Sequence, residues 1–145
     1  MKAKKLIPYF DSAYQGFASG DIINDAHAIR YFVEQGFDMF VSQSYAKNMG
    51  LYGERVGALH VVSKDKETAS RVLSQLKMVI RANVSSNPIH GARIAERVLT
   101  NAANFQSWRD ELHEVANRII SMRTALRSRL EETKTPGTYL SLMVL

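Results

Sequence analysis

The stretch FDMFVSQSYAKNMGLYGERVGALHVV, residues 37–62, holds two apolar runs, 37–42 and 55–62, divided by a polar loop over 43–54 that carries Gly50 and Gly53. Short apolar runs bounded by glycine and polar punctuation read as buried strands. Upstream, residues 22–35 set Ile22, Ala26, Ile29 and Val33 at helical spacing, with Asp21 as the expected N-cap and Gly36 as the stop. Further upstream, LIPYF at residues 6–10 is a third apolar run that ends at Asp11 and opens into a loop over 12–20. Strand, helix and strand in that order predict a parallel pair joined by a right-handed crossover, hence an α/β fold.

Downstream the period changes. Residues 66–82 place Val72, Leu73, Leu76, Val79 and Ile80 on one side of a helix, which the polar run 85–88 ends. A second helix is expected over 89–100 and a long third one over 105–132. The third carries Phe105, Trp108, Leu112, Val115, Ile119, Met122, Leu126 and Leu130 at steps of three or four, the pattern of a packed seam. Thr135, Pro136 and Gly137 then break the chain, and the uncharged ending TYLSLMVL follows. The expected organisation is residues 1–104 as strands plus helices, 105–132 as the long helix and 133–145 as a tail.

Composition narrows the function classes. A chain of 145 residues with 46% hydrophobic and 23% charged residues, 8 Gly and 3 Pro is an ordinary globular sequence. With no cysteine there is no disulfide framework, thiolate nucleophile or sulfur-based zinc site. His27, His60, His90 and His113 are too scattered to suggest a metal centre. No apolar run approaches the ~18 residues that span a bilayer, and the start MKAKKLIPYF has neither the apolar core nor the cleavage site of a leader. Net charge of +5 suits an anionic ligand. The cations are spread along the chain, however, which argues against a nucleic-acid footprint.

In open parallel α/β sheets ligands collect at the carboxyl ends of the strands. Two expected strands end in reactive residues there: Asp11 with Tyr14, and Ser44 with Lys47. An isolated loop lysine is usually a solvated charge. Lys47, in contrast, follows a buried run, sits in a glycine-bearing loop and has Arg55 nearby in sequence. Such surroundings favour the neutral, nucleophilic amine that attacks carbonyl groups, and Asp11 could hold a positive ring nitrogen.

YFDSAYQGFASGD at 9–21 and SQSYAKNMGLYGERVGA at 42–58 closely resemble the aspartate aminotransferases, and the similarity continues through IRANVSSNP at 80–88, HGARI at 90–94 and ANRIISMR at 116–123. These are fold type I enzymes dependent on pyridoxal 5'-phosphate. The resemblance implies that the chain is the later part of their large cofactor-binding domain, ending in the long interdomain helix. It implies Lys47 as the catalytic Schiff-base lysine and proton shuttle. Asp11 would pair with the pyridinium nitrogen, Tyr14 would hydrogen-bond the phenolic oxygen, and Ser44 and Arg55 would hold the phosphate. Arg81 would reach the partner subunit's site and bind the distal carboxylate of the substrate, which implies a homodimer. Trp108, on the helix seam, reads as core and not as the aromatic that stacks on the cofactor.

The implied reaction exchanges the amino group between L-aspartate and 2-oxoglutarate, giving oxaloacetate and L-glutamate, so the partners are dicarboxylic amino acids and 2-oxo acids. The implied compartment is cytoplasmic or mitochondrial, with no membrane partner. The family pattern also carries an upstream glycine-containing phosphate loop, a ring-stacking aromatic and a cofactor-contacting asparagine, and a downstream arginine for the α-carboxylate. None of these is found in this stretch, and residues 139–145 leave the pattern. Little activity is therefore expected of this chain alone. The alternative reading is a non-catalytic product that associates with itself or with full-length subunits through the helix over 105–132.

Overall fold

The computed structural model describes residues 1–139 and Leu142; the rest of the expected tail lies outside the described residues. After a short 3-10 turn the elements run β1 (Tyr9–Ser12), α1 (Ile22–Asp25), α2 (His27–Glu34), β2 (Met39–Ser44), β3 (Gly57–Val62), α3 (Lys66–Asn83), α4 (His90–Thr100) and α5 (Ala102–Glu132). The three strands form one sheet in the order β1-β2-β3. β1 and β2 are parallel, with Asp11 opposite Ser42, whereas β2 and β3 are antiparallel, with Ser44 opposite Gly57. The α/β class and the parallel pair agree with the sequence. β2 is central because its alternating residues Met39 and Val41 are buried.

Besides β2 lying at 39–44 where 37–42 was expected and α5 starting at 102 where 105 was expected, three features differ from the sequence expectation. The first strand lies at Tyr9–Ser12 and not over 6–10, and Leu6 and Ile7 are exposed. Pro8 has no N–H to give to a ladder, so it contributes only its carbonyl, which accepts from Phe40 N at 3.0 Å, and pairing begins after it. The expected helix over 22–35 is two helices, broken where Ala26 leaves helical geometry at ψ 10°. At that break the Asp25 carboxylate accepts from Gly16 N at 2.6 Å, from Ala18 N and Ser19 N at 3.1 Å, and from Ser19 Oγ at 2.6 Å. Asp25 thereby ties the loop after β1 to α1.

The third difference concerns α5. Of the expected seam only Leu112 is fully buried, together with Ala116 outside that seam, while Val115, Met122 and Leu126 are exposed. The buried contacts of α5 are made by its first half, against α4 and the loop after β1. Gly16 makes this approach close, since a Cβ there would stand 2.3 Å from Leu112 Cδ2. Gly91 does the same for α4, where a Cβ would stand 2.7 Å from the Glu54 Cβ. Phe10 of β1 meets Phe32 of α2 edge-on at 5.2 Å. Among the described residues no helix is long and apolar enough to cross a membrane.

Two helix caps give the fold an acid-sensitive contribution. Asp21 accepts from Ile23 N and Asn24 N, and Asp65 from Thr68 N and Oγ1. The backbone bond to Asn24 and then that to Ile23 hold Asp21 below the usual carboxylate range, and the Thr68 backbone and side-chain bonds do the same for Asp65. A carboxylate with a lowered folded pKa stabilises the fold above its unfolded value, and this contribution disappears as pH falls through the folded value. The acid limb of an unfolding titration should therefore lie below about pH 4. Asp65→Asn, whose amide caps without a charge, should flatten that limb as read by far-UV circular dichroism. An unchanged acid limb would show that this cap does not govern it.

Candidate cofactor site

The carboxyl ends of β1 and β2 place Asp11 and Ser44 on one rim, and the return from the following loop brings Arg55 to the same place. Asp11, Ser44 and Arg55 line one cleft of about 230 Å³, with Ser42, Gln43 and Gly57. Ser44 Oγ accepts from Ala46 N at 3.2 Å, which turns the chain out of the strand. Arg55 stands in left-handed geometry at φ 50°, and its Nη1 donates to the Tyr52 carbonyl at 3.1 Å. Non-glycine residues in that region cost of order 1–3 kcal/mol and gather at ligand sites. The guanidinium has five N–H donors, so the fork retains capacity for an anion.

Gly57 closes the floor of this cleft. A Cβ at Gly57 would lie 2.5 Å from the Gln43 carbonyl oxygen, a backbone atom that cannot turn aside. Gly57→Ala should push β3 from β2 beside Ser44 and lower stability by about 1–3 kcal/mol, read as the urea midpoint. A wild-type midpoint would refute this close approach.

Lys47 follows in the buried turn after β2, where Tyr45, Ala46 and Asn48 are all buried. Tyr45 N donates to Val56 O at 3.1 Å and Gly50 N to Lys47 O at 3.0 Å, so the turn is held at both ends. Burial pushes the Tyr45 phenol up. Lys47 Nζ lies over the Tyr52 ring, 4.3 Å from its centroid, a cation–π contact. Lys47 and Tyr14 line a second cleft of about 440 Å³ with Phe17, Tyr52, Ile119 and Arg123. Tyr14 is 60% exposed there, with Phe17 edge-on at 6.1 Å.

The residues singled out from sequence therefore fall into two groups, Asp11 with Ser44 and Arg55, and Tyr14 with Lys47. Arg81 lines neither cleft; it is exposed on α3 and its Nη1 donates to Ser85 Oγ at 2.5 Å. Trp108 is partly covered and donates from Nε1 to the Asn48 carbonyl at 2.7 Å. Sequence reading passed over Gln15, Gln43, Asn48, Tyr52 and Arg123. The available signal was adjacency, since Gln15, Gln43 and Asn48 each neighbour a selected residue. Among the described residues no group of three His, Asp or Glu side chains is arranged for a metal.

The family model for aminotransferase class I and II matches residues 1–144. The chain is 52% identical over 139 residues to the cytoplasmic aspartate aminotransferase of Gallus gallus, covering 96% of this chain and 34% of that protein. It superposes on the aspartate aminotransferase of Trypanosoma cruzi with a TM-score of 0.92 and 44% identity, over 98% of this chain and 36% of the other. An aromatic-amino-acid aminotransferase from Burkholderia pseudomallei, covalently bound to pyridoxal phosphate, gives a TM-score of 0.93 and 44% identity over 98% and 35% of the two chains. The chain thus spans about a third of the length of the relatives it matches. Its sheet order, its long terminal helix and a family match running through almost all of its length place it among the class I and II aminotransferases.

Proposed function

We propose that this chain carries the lysine-bearing part of an aspartate aminotransferase site, which exchanges an amino group between L-aspartate and 2-oxoglutarate with pyridoxal phosphate as cofactor. The observation that carries the reading is the cleft shared by Asp11, Ser44 and Arg55 beside the turn that carries Lys47. Its donor set fits the cofactor, because a guanidinium and a hydroxyl suit a phosphate and a carboxylate suits a protonated ring nitrogen. When bound, the cofactor supplies a carbonyl carbon for the amino group and a ring that accepts electrons from the substrate's α-carbon.

The protein's own groups do the rest. Arg55 and Ser44 Oγ would hold the phosphate, the guanidinium by charge-assisted N–H bonds and the hydroxyl by a further one, and so would fix the cofactor's position. Asp11 keeps the ring nitrogen protonated, since a proton shared with a carboxylate is held more tightly. The Tyr14 hydroxyl donates to the phenolic oxygen. Lys47 Nζ would hold the cofactor through its carbonyl carbon and, as a free amine, would be the base for the proton on the substrate's α-carbon, a nucleophile and base in one group. Arg81 binds the distal substrate carboxylate in the partner subunit of a homodimer. The cytoplasm, named for the chicken relative, is the proposed compartment.

Mixing the chain with pyridoxal phosphate, reducing with borohydride and mapping the modified peptides tests this reading. Lys47 should be labelled far above Lys2, Lys4, Lys5, Lys64, Lys66, Lys77 and Lys134. Labelling spread evenly over these lysines would refute site assembly in this chain. The exposure of Val115, Met122 and Leu126 on α5 favours a second reading, association without catalysis. That reading expects co-elution with a full-length family enzyme in size-exclusion chromatography, and independent elution would remove it.

A further inference from the structure

Three side-chain amides stand one residue from three of the candidate contacts. Gln15 follows Tyr14, Gln43 precedes Ser44 and Asn48 follows Lys47. They are bonded in series. Asn48 Nδ2 donates to the main-chain carbonyl of Gln15 at 3.2 Å, and Gln43 Nε2 donates to the side-chain Oε1 of Gln15 at 2.8 Å. Gln15 Nε2 in turn donates to the Ile22 carbonyl at 2.9 Å, and Trp108 Nε1 donates to the Asn48 carbonyl at 2.7 Å. The series joins the loop after β1, the end of β2, the turn after it and the long helix α5.

Asn48 is the pivot. It is 6% exposed, the one buried polar residue among those described, and its Oδ1 has no hydrogen-bond partner among them. Burying an amide with one atom unsatisfied is costly, so a residue with only packing to perform would be better served by an apolar side chain. What the amide provides is a donor that crosses between two irregular segments 33 residues apart. Neither segment is tied to the other by a strand ladder at this point, so the bond sets their relative placement. Through Gln15 and Gln43 the same series connects the Lys47 and Tyr14 cleft to the Asp11, Ser44 and Arg55 cleft.

We propose that Asn48, together with Gln15 and Gln43, is a positioning clamp that sets Lys47, Tyr14 and Ser44 relative to one another, braced on α5 by the Trp108 N–H. The proposal deepens the cofactor reading and rests on it for what the clamped groups bind. The clamp itself belongs to the free chain. Misplacing a reacting group by about 1 Å can cost about 100-fold in rate, which is why a site on irregular backbone needs such a brace.

The test compares the whole chain with Asn48→Leu, which keeps the size and removes the donor, and with Met39→Ala, a core loss in β2 away from the clamp. Peptide-resolved hydrogen exchange is the first readout. Asn48→Leu should raise exchange of residues 13–17 and 45–50 together by about tenfold over the general rise that Met39→Ala produces. Selectivity of pyridoxal phosphate and borohydride labelling for Lys47 should fall about tenfold in the same variant. Unchanged exchange over 13–17 overturns the clamp, whatever the labelling does. If the wild-type chain labels no lysine selectively, the cofactor reading fails while the exchange comparison still decides the clamp. Should Asn48→Leu not fold, Trp108→Phe, which removes the N–H brace together with part of the indole volume, should raise exchange over 45–50 above the rise that Met39→Ala produces; no such rise overturns the proposal.

Discussion

Lys47→Ala should abolish the reduced pyridoxal phosphate adduct at that position, leaving weak label scattered over the exposed lysines. The reason is that other amines lack the surroundings of Lys47. Its neighbours Ala46 and Asn48 are buried, its Nζ rests on the Tyr52 ring, and Arg123 lines the same cleft. Lysines such as Lys66 and Lys77, on α3, are instead exposed to water. On the proposed role of Lys47 as the group that moves the α-proton, its loss from a complete enzyme should cost about 10²–10⁴ in rate. Arg55→Ala should instead keep the lysine and weaken the phosphate hold, so its adduct forms at Lys47 but needs more cofactor. Equal labelling of wild-type and Lys47→Ala chains, measured by peptide mass spectrometry, would assign the chemistry elsewhere.

Gly16→Ala should be the most damaging single change to stability, by about 2–5 kcal/mol. Two costs add. Gly16 stands at φ 97°, a region that L side chains rarely adopt and that costs about 1–2 kcal/mol, and its Cβ would lie 2.3 Å from Leu112 Cδ2. Overpacking a filled site typically costs about 1–3 kcal/mol more. Against a total stability of about 5–15 kcal/mol, such a loss removes a large share of the cooperative transition. Leu112 is a side chain and can swing away, but it is one of the few fully buried residues of α5, so its movement uncovers the α5 contact. Urea unfolding of Gly16→Ala, Leu112→Ala and the double variant separates the terms. A double variant better than the sum of the two losses identifies the steric part, and an unchanged Gly16→Ala midpoint refutes the close approach.

The same glycine shows why parts of the molecule were legible and others were not. The loop over 12–20 is readable as a loop from its glycines and serines, yet its closeness to α5 depends on Leu112, which lies 96 positions away. The break at Ala26 was hidden for a related reason. Residues 22–35 satisfy a helical period, but Asp25 is drawn back to the amides of Gly16, Ala18 and Ser19, an interaction that no local pattern encodes. Pro8, in contrast, carries its consequence in its own chemistry, and the later start of β1 was available to a stricter reading of its missing N–H.

The site divides along the same line. Residue type and position along the chain picked out Asp11 with Tyr14, and Ser44 with Lys47 and Arg55, while the family resemblance added Arg81; each of these signals is a local property of the chain. Their division between two separate clefts, and the series of Asn48, Gln15 and Gln43 between them, came only with the folded chain.

By itself, then, the sequence determined the element types, the parallel β1 and β2 pair, the capping residue Asp21 and the family, all of which rest on periodicity, residue chemistry or contiguous motifs. The antiparallel docking of β3, the partial covering of the α5 seam and the amide clamp were decided by tertiary structure. Each depends on which distant surfaces meet, and hydrogen-bond donors and apolar faces find those partners only when the whole chain closes around them.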